Sequence, residues 1–228
     1  MRYYYNLLTN QNSYYPYDNR IHNFGNVGLG GKIHAEMAPF VTRGIDKKAY
    51  GGVDIRKMVY ENIPKEYSIL DMCCGVGLST RITSDFDRPN YTIGIDTSPQ
   101  MINKARRLNQ KLKNGNYNHN NLRKFYLGNA ENYGSLEKIE FDVVTCMFAF
   151  HEMPEYAHHK IINNALKIAK KEVIILDIAP NYKSNMIMRS GEPFIEEYQK
   201  SIQNTMHSYS FIEKVLFKNH AHKWKIIK

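Results

Sequence analysis

The stretch EYSILDMCCGVGLST, residues 66–80, places an acid, two cysteines and two glycines at the end of an apolar run. Asp71 closes the run, and Gly75 and Gly77 follow within six residues. Glycines directly after a strand let a ligand approach the backbone closely. A carboxylate just before them repels a diphosphate and attracts a cation, so this stretch indicates a ligand that carries positive charge.

Polar residues follow the later apolar runs in the same way. YTIGID ends at Asp96, KFYLG is followed by Asn129, and FDVVTCMFAF is followed by His151 and Glu152. In an open α/β sheet, ligands bind beyond the carboxyl ends of the strands. We therefore expect these side chains to form one site together with the glycine loop.

The elements that would hold these residues alternate between strands and helices from residue 65 onward. Apolar runs predict strands at 67–71, 91–96, 124–128, 141–150 and 172–178. Helical spacing predicts helices at about 78–86, 98–113, 155–169 and 193–205, and NGNYNHNN reads as a loop. Continuous apolar runs separated by helices are typical of a parallel sheet that is covered on both faces. Two last strands, 211–218 and 221–227, are close enough to pair as an antiparallel hairpin.

The first 64 residues have a different composition. Residues 1–20 are rich in Tyr and Asn and predict a flexible arm. Residues 21–64 contain seven glycines, so loops are expected there, with one short helix near 53–62. The predicted organisation is an arm at 1–20, a front segment at 21–64 and an α/β domain at 65–228.

Composition limits the partners and the compartment. The net charge is +9, from 31 basic and 22 acidic residues, which suits nucleic acid or anionic lipid as well as a simple Lys-rich surface. There is no run of five basic residues, no zinc-finger spacing and no aromatic-basic RNA motif, so the Lys-rich surface is favoured. No apolar run of about 18 residues predicts a membrane span. Three cysteines and no leader-like start favour a cytoplasmic protein.

Two common ligand classes fit the glycine loop poorly. A P-loop NTPase needs Gly-Lys-Ser/Thr, which does not follow Gly77. A nicotinamide enzyme carries G-x-G-x-x-G, and Thr80 stands where the third glycine belongs. S-adenosylmethionine, with an ammonium, a sulfonium and no phosphate, suits the carboxylate before the loop.

Residues 65–180 resemble a class I S-adenosylmethionine-dependent methyltransferase of the small-molecule and quinone branch. ILDMCCGVG, IGIDTSPQMINKAR, GNAENY and FDVVTCMFAFHEMP resemble the first to fourth motifs of that family, in order. The resemblance implies a Rossmann-like α/β fold, with a seven-stranded, mostly parallel sheet, helices on both faces and a C-terminal antiparallel hairpin. It also implies S-adenosyl-L-methionine as cofactor and S-adenosyl-L-homocysteine as product.

The resemblance also assigns roles to single residues. Gly75 and Gly77 would admit the methionine part of the cofactor, Asp71 would orient the loop and the ammonium group, and Asp96 would bind the ribose hydroxyls. Asn129 would border the adenine. The other expected cofactor contacts are Cys73, Thr97, Met101, Ala130, Met147, Phe148 and Tyr50, the last of these from a front segment that folds over the site as a lid.

This sequence departs from the family pattern at two positions. Cys73 replaces the first glycine of the loop, and Asn129 stands where Asp is commoner. A cysteine-containing loop also resembles related quinone methyltransferases, so binding is expected to survive. Cys73 and Cys74 are interpreted as packing residues rather than as redox groups.

The acceptor is left open by the sequence. His151 and Glu152 are the candidate catalytic residues, because either could take a proton from an acceptor; they could equally cap a loop and begin a helix. No metal is expected, since the histidines lack a clustered ligand set. The favoured function is methyl transfer to an O-, C- or N-nucleophile of a small molecule by a monomer or homodimer. The alternatives are a weakly active cofactor-binding or assembly protein, and an RNA or protein methyltransferase.

Overall fold

The computed structural model describes Tyr17 and residues 21–82, 91–113, 123–134, 139–217 and 220–228. Its centre is a seven-stranded sheet in the order β3-β2-β1-β4-β5-β7-β6. The strands are β1 (Ile69–Met72), β2 (Thr92–Asp96), β3 (Arg123–Leu127), β4 (Phe141–Met147), β5 (Ala169–Ile178), β6 (Phe211–Phe217) and β7 (Ala221–Ile227). Strands β1 to β5 are parallel to one another, and β7 is antiparallel to β5 and β6. The predicted α/β sheet with its antiparallel C-terminal hairpin is confirmed.

Seven α-helices surround the sheet in the described part of the chain. They are α1 (Gly28–Ala49), α2 (Ile55–Tyr60), α3 (Leu78–Ile82), α4 (Pro99–Lys113), α5 (Glu155–Ile168), α6 (Met186–Gly191) and α7 (Ile195–His207). Two short 3-10 turns, Ile21–Asn23 and Phe150–Glu152, stand beside them. None of the described helices is long and apolar enough to cross a membrane.

Apolar clusters cover both faces of the sheet. Leu70 and Met72 of β1 belong to the cluster that includes residues of α5 and α7. Ile69, next to Leu70, belongs to the cluster that includes Tyr60 of α2. Neighbouring residues of β1 therefore pack on opposite faces, as a strand buried on both sides requires.

The front segment is helical where loops were expected, so that prediction was wrong. Helix α1 runs for 22 residues from Gly28. A Cβ on Gly30 would lie 1.8 Å from the carbonyl oxygen of Phe24, and one on Gly31 would lie 2.5 Å from Asn26. These glycines let the preceding chain press against the first turn of the helix, which sequence composition cannot distinguish from loop formation.

Smaller differences concern element ends. Strand β4 stops at Met147, because Phe148 adopts φ 55° and a 3-10 turn follows. Helix α4 begins as predicted after Ser98, whose Oγ accepts from the N–H of Met101 at 3.1 Å. The end of the helix expected at 78–86, the loop NGNYNHNN and the arm apart from Tyr17 lie outside the described residues.

Candidate functional site

A cavity of about 630 Å³ opens at the carboxyl ends of β1 to β5. The loop after β1, the ends of β2 and β4 and the segments after β3 and β5 form its floor. Residues of the 3-10 turn at 21–23 and of α1 form the opposite wall. Small-molecule sites commonly have volumes of roughly 300–1,000 Å³, so the cavity has the size of such a site.

The structure brings most of the sequence-predicted site residues to this cavity. Those that line it are Tyr50, Cys73, Gly75, Asp96, Thr97, Met101, Asn129, Ala130, Met147, Phe148, His151 and Glu152. Asp71 and Gly77 are not among the lining residues.

The glycine loop contains three residues in the left-handed region. Cys73 has φ 55°, Gly75 has φ 53° and Gly77 has φ 75°. A Cβ on Gly75 would meet no atom within 4 Å, so this position faces the open cavity. A Cβ on Gly77 would lie 2.5 Å from the ring of Phe125. Gly77 therefore serves the packing of the loop on β3, whereas it was expected to admit the methionine part of the cofactor.

Asp71 supports the loop from below. Its Oδ2 accepts hydrogen bonds from Ser79 Oγ and Thr80 Oγ1, both at 2.6 Å, and its Oδ1 accepts from Thr145 Oγ1 at 2.9 Å. The side chain is fully buried, and burial raises its pKa above the usual range. The expected orientation of the loop by Asp71 thus has a structural basis in the bonds to α3. Asp71 does not line the cavity, so its expected effect on an ammonium group there stays a prediction.

Asp96 joins the end of β2 to the glycine loop. Its Oδ2 accepts from the N–H of Gly75, and its Oδ1 accepts from the N–H of Ser98, both at 2.9 Å. Burial raises the pKa of Asp96 to about 6, against the effect of these two hydrogen bonds. Each carboxylate oxygen still has a lone pair that a hydroxyl in the cavity could use.

The expected adenine contacts already have partners in the protein. Asn129 Oδ1 accepts from the N–H of Glu131 at 2.9 Å, so its side chain is fixed at the cavity edge. Met101 is 5% exposed and packs in a cluster with Ala35 of α1. The guanidinium of Arg56 lies over the ring of Phe148, with 4.9 Å between Cζ and the ring centroid. Asn129 and Met101 therefore have side chains that the surrounding protein already holds.

His151 is bound to an acid at the end of β5. Its Nδ1 lies 2.6 Å from Asp177 Oδ1, while Asp177 Oδ2 accepts from the N–H groups of Ala149 and Phe150 at 3.1 and 2.8 Å. Burial would lower the pKa of His151, but the Asp177 carboxylate raises it to about 9. The imidazole is then cationic at neutral pH and has no free lone pair with which to take a proton.

Glu152 meets a histidine and a second acid from distant parts of the chain. His22 Nε2 lies 2.9 Å from Glu152 Oε1, and His22 Nδ1 lies 2.8 Å from Glu192 Oε1. Burial opposes a charge on His22, but both carboxylates outweigh it and raise its pKa well above the usual value. The charge and hydrogen bond of His22 in turn lower the pKa of Glu152, against burial. Glu152 is therefore a carboxylate at neutral pH.

The same three residues form a potential ligand set. One nitrogen of His22 and one oxygen each of Glu152 and Glu192 lie within 4.8 Å of one another. The sequence had predicted no metal, because its histidines lack a clustered ligand set, and both glutamates are more than 100 positions away from His22 in the chain. A nitrogen and two carboxylate oxygens are groups that bind divalent metals.

Sequence reasoning missed three residues of the cavity region. His22 and Glu192 line the cavity, and Asp177 holds His151. Asp177 could have been found, because it ends an apolar strand just as Asp96 does. His22 and Glu192 lie outside the strand ends, and nothing in their spacing marks them.

The arm and the lid segment each reach the cavity. The hydroxyl of Tyr17 donates to Glu131, and its ring packs against Tyr156 and Phe194. Tyr17 is therefore anchored to the domain, while the flexibility predicted for the rest of the arm stays a prediction. Tyr50 lines the cavity but is only 4% exposed.

Residues 69–181 match the family model described as a methyltransferase domain. No curated protein matches the chain by sequence. Several solved structures share its fold.

Magnesium protoporphyrin IX methyltransferase from Synechocystis PCC 6803, with bound S-adenosylhomocysteine, is 15% identical over 92% of this chain and 91% of that chain, with a TM-score of 0.53. The plantazolicin methyltransferase, in complex with a triazolic desmethylPZN analog and S-adenosylhomocysteine, is 16% identical over 86% and 95%, with a TM-score of 0.56. A SAM-dependent methyltransferase from Aquifex aeolicus is 17% identical over 83% and 97%, with a TM-score of 0.58. At these identities the similarity shows the Rossmann-like methyltransferase fold.

Proposed function

Because the chain is a class I S-adenosylmethionine-dependent methyltransferase, we propose that it transfers the methyl group to a small-molecule acceptor bound in the cavity under α1. One observation carries this proposal. A single cavity of about 630 Å³ extends from the Gly75–Asp96 end to the His22–Glu152–Glu192 end. Cofactor and acceptor can thus lie in one space, with their reacting atoms in contact.

The Gly75–Asp96 end fits the cofactor. The open space beside Gly75 admits the methionine part, and the Asp96 carboxylate accepts from the ribose hydroxyls. When bound, the cofactor supplies a methyl group on a positively charged sulfur. We propose that Cys73, Thr97, Asn129 and Phe148 complete this half of the wall.

The opposite end fits the acceptor. We propose Glu152 as the group that takes a proton from the acceptor, because it is ionised at neutral pH. His151 is cationic at neutral pH, so its proposed role is to position the 3-10 turn that carries Glu152, through its bond to Asp177. An acceptor whose nucleophile bears no removable proton would need only alignment.

The size of the cavity favours a small acceptor over the alternatives. Two of the similar structures are enzymes named for magnesium protoporphyrin IX and for plantazolicin. A macromolecular acceptor would need an open groove beside the cofactor, whereas α1 lies across this site. We further propose the division into an arm at 1–20, a lid at 21–64 and a catalytic domain at 65–228, and a monomer or homodimer in the cytoplasm.

The test is methyl transfer from cofactor labelled in the methyl group. The purified chain is incubated with fractionated small molecules, RNA and protein of the source cell, and label is followed in each fraction. Label in the small-molecule fraction supports the proposal. Label in RNA or protein alone contradicts it. Binding of S-adenosylhomocysteine without transfer to any fraction supports the weakly active binding protein instead.

Two variants make this test specific. Glu152→Gln removes the proposed proton acceptor and is expected to lower turnover of an ionisable acceptor by about 10²- to 10⁴-fold. Glu61→Gln changes an exposed glutamate outside the cavity and serves as the matched control. Equal turnover of the two variants would remove the role of Glu152 and leave methyl transfer itself standing.

A further inference from the structure

Helix α1 exposes large apolar side chains to solvent. Their exposed fractions are 76% for Leu29, 41% for Ile33, 44% for Met37, 72% for Phe40, 49% for Val41 and 47% for Ile45. Spacings of three and four residues place them on one side of the helix. Large exposed apolar patches mark sites of interaction with a protein, a membrane or a ligand.

The other side of α1 attaches the helix to the domain. Gly31 and Ala35 are buried, and Ala35 packs in a cluster with Val76 of the glycine loop and with Met101 of α4. Only about half of the helix circumference is therefore available to a partner. A flat surface can reach it, whereas a groove that encloses a helix cannot.

In the part of the chain that the structure describes, the charged side chains of α1 that form no ion pair are all positive. Lys32, Arg43, Lys47 and Lys48 are exposed and have no ion-pair partner in the described part of the chain. The two acids of the helix are neutralised elsewhere. Glu36 pairs with Lys104 and Arg107, and Asp46 pairs with Arg56.

The apolar face continues to the mouth of the cavity. Met37, Val41 and Ile45 are both exposed and part of the cavity lining. Ile187 of α6 lines the same cavity and is 81% exposed, and its neighbour Met186 is 85% exposed. Two elements thus present apolar side chains around one opening.

We propose that α1 and the start of α6 form a docking surface for an anionic lipid bilayer. Apolar side chains on one face of a helix, with Lys and Arg beside them, are the features by which a helix lies in a membrane interface. A second copy of this chain fits less well, because a two-fold contact would bring the unpaired cations of both helices together. Anionic headgroups complement that charge instead.

Docking in this orientation turns the cavity mouth towards the lipid. An acceptor dissolved in the bilayer could then enter between α1 and α6 without crossing water. This consequence rests on the function proposed above, whereas binding to lipid can be measured without any methyl transfer.

The experiment is flotation of the full chain with vesicles of phosphatidylcholine, with and without phosphatidylglycerol. The wild-type chain is expected to float with the anionic vesicles and to be released by high salt. The double variant Leu29→Ser, Phe40→Ser is expected to bind the anionic vesicles with an affinity lower by about tenfold or more. Neither residue lines the cavity. The affinity of the double variant for S-adenosylhomocysteine, measured by calorimetry, should therefore equal that of the wild type, which would show that the fold is intact.

The matched control replaces equally exposed apolar residues on the edge strand β6. Ile212→Ser, Val215→Ser changes side chains that are 58% and 50% exposed and should bind vesicles like the wild type. Three results overturn the proposal: no flotation with anionic vesicles, equal flotation of the α1 and β6 variants, or a dimer in light scattering that only the α1 variant disrupts. The last result would assign the surface to a second copy.

Discussion

The carboxylate of Asp96 accepts a hydrogen bond from the backbone N–H of Gly75, with 2.9 Å between oxygen and nitrogen. This bond joins the end of β2 to the loop after β1, two segments that a cofactor would contact together. The loop therefore holds a binding shape before any ligand arrives. Preorganisation of this kind lowers the entropy that binding must overcome.

Replacement of Asp96 tests this link. Asp96→Ala is expected to weaken cofactor binding by about 10- to 100-fold, because charge-assisted hydrogen bonds to the ribose are lost and the N–H of Gly75 loses its acceptor. Titration calorimetry with S-adenosylhomocysteine measures the change. Glu61→Gln is the control, and circular dichroism should show that both variants keep the fold. Wild-type affinity in Asp96→Ala would reject the ribose assignment.

The affinity for the cofactor should depend on pH. The pKa of Asp96 is about 6 without ligand, because burial raises it. The ionised form accepts from hydroxyls, so binding is expected to weaken as pH falls below about 6 and to level off above it. The free energy of unfolding should change with pH in the opposite direction. Because the pKa of Asp96 is higher in the folded chain than in the unfolded chain, its contribution to stability is full below about pH 4 and is lost as pH rises through about 6. Titration of the wild type and Asp96→Asn from pH 5 to pH 8 separates this group from others.

Two substitutions in the glycine loop should act in opposite ways. Gly75→Val fills the space beside the loop and puts a β-branched residue at φ 53°, so cofactor binding should be abolished. Cys73→Gly removes a side chain at φ 55° and should keep activity, with stability equal to the wild type or up to about 1 kcal/mol higher. Calorimetry and thermal unfolding measure both. An inactive Cys73→Gly protein would show that the thiol does more than pack.

His22 should act as a pH-dependent latch between the front segment and the domain. His22→Ala leaves the buried Glu192 without its cation and is expected to lower the free energy of unfolding by about 1–3 kcal/mol. The pKa of His22 is raised in the folded state. The difference in the free energy of unfolding between the wild type and His22→Ala should therefore be full below about pH 6.5 and disappear as pH rises through the folded pKa. Urea unfolding at several pH values checks this. An advantage that is constant with pH would contradict the ion-pair explanation.

The fold and half of the site could be predicted from sequence because strands carry local signals. Asp96 and His151 end apolar runs, and parallel strands bring such ends to one edge of the sheet. Asp71 shows the limit of this argument. Its position at a strand end was read correctly, but side chains of a strand alternate between faces, and its hydroxyl partners on α3 and β4 could not be foreseen.

The front segment was expected to fold over the site as a lid, but the contacts of this opposite wall could not be predicted, because they depend on long-range packing. Gly30 and Gly31 read as loop residues, yet they permit the chain at Phe24 and Asn26 to cross the start of a 22-residue helix. That crossing brings His22 towards Glu152 and Glu192. No periodicity encodes such a meeting, because each residue alone is ordinary for its position.

The wall of the cavity draws on residues from Tyr17 to His220, and this has a consequence for local unfolding. A ligand that fills the cavity binds only when all of these segments are in place, so occupancy at 100 times the dissociation constant adds about 2.7 kcal/mol to their closed state. Amide hydrogen exchange in α1 should therefore slow on cofactor binding although most of α1 lies far from the glycine loop in sequence. Protease cleavage within residues 28–49 should slow in parallel, which would make the front segment a sensitive reporter of an occupied site.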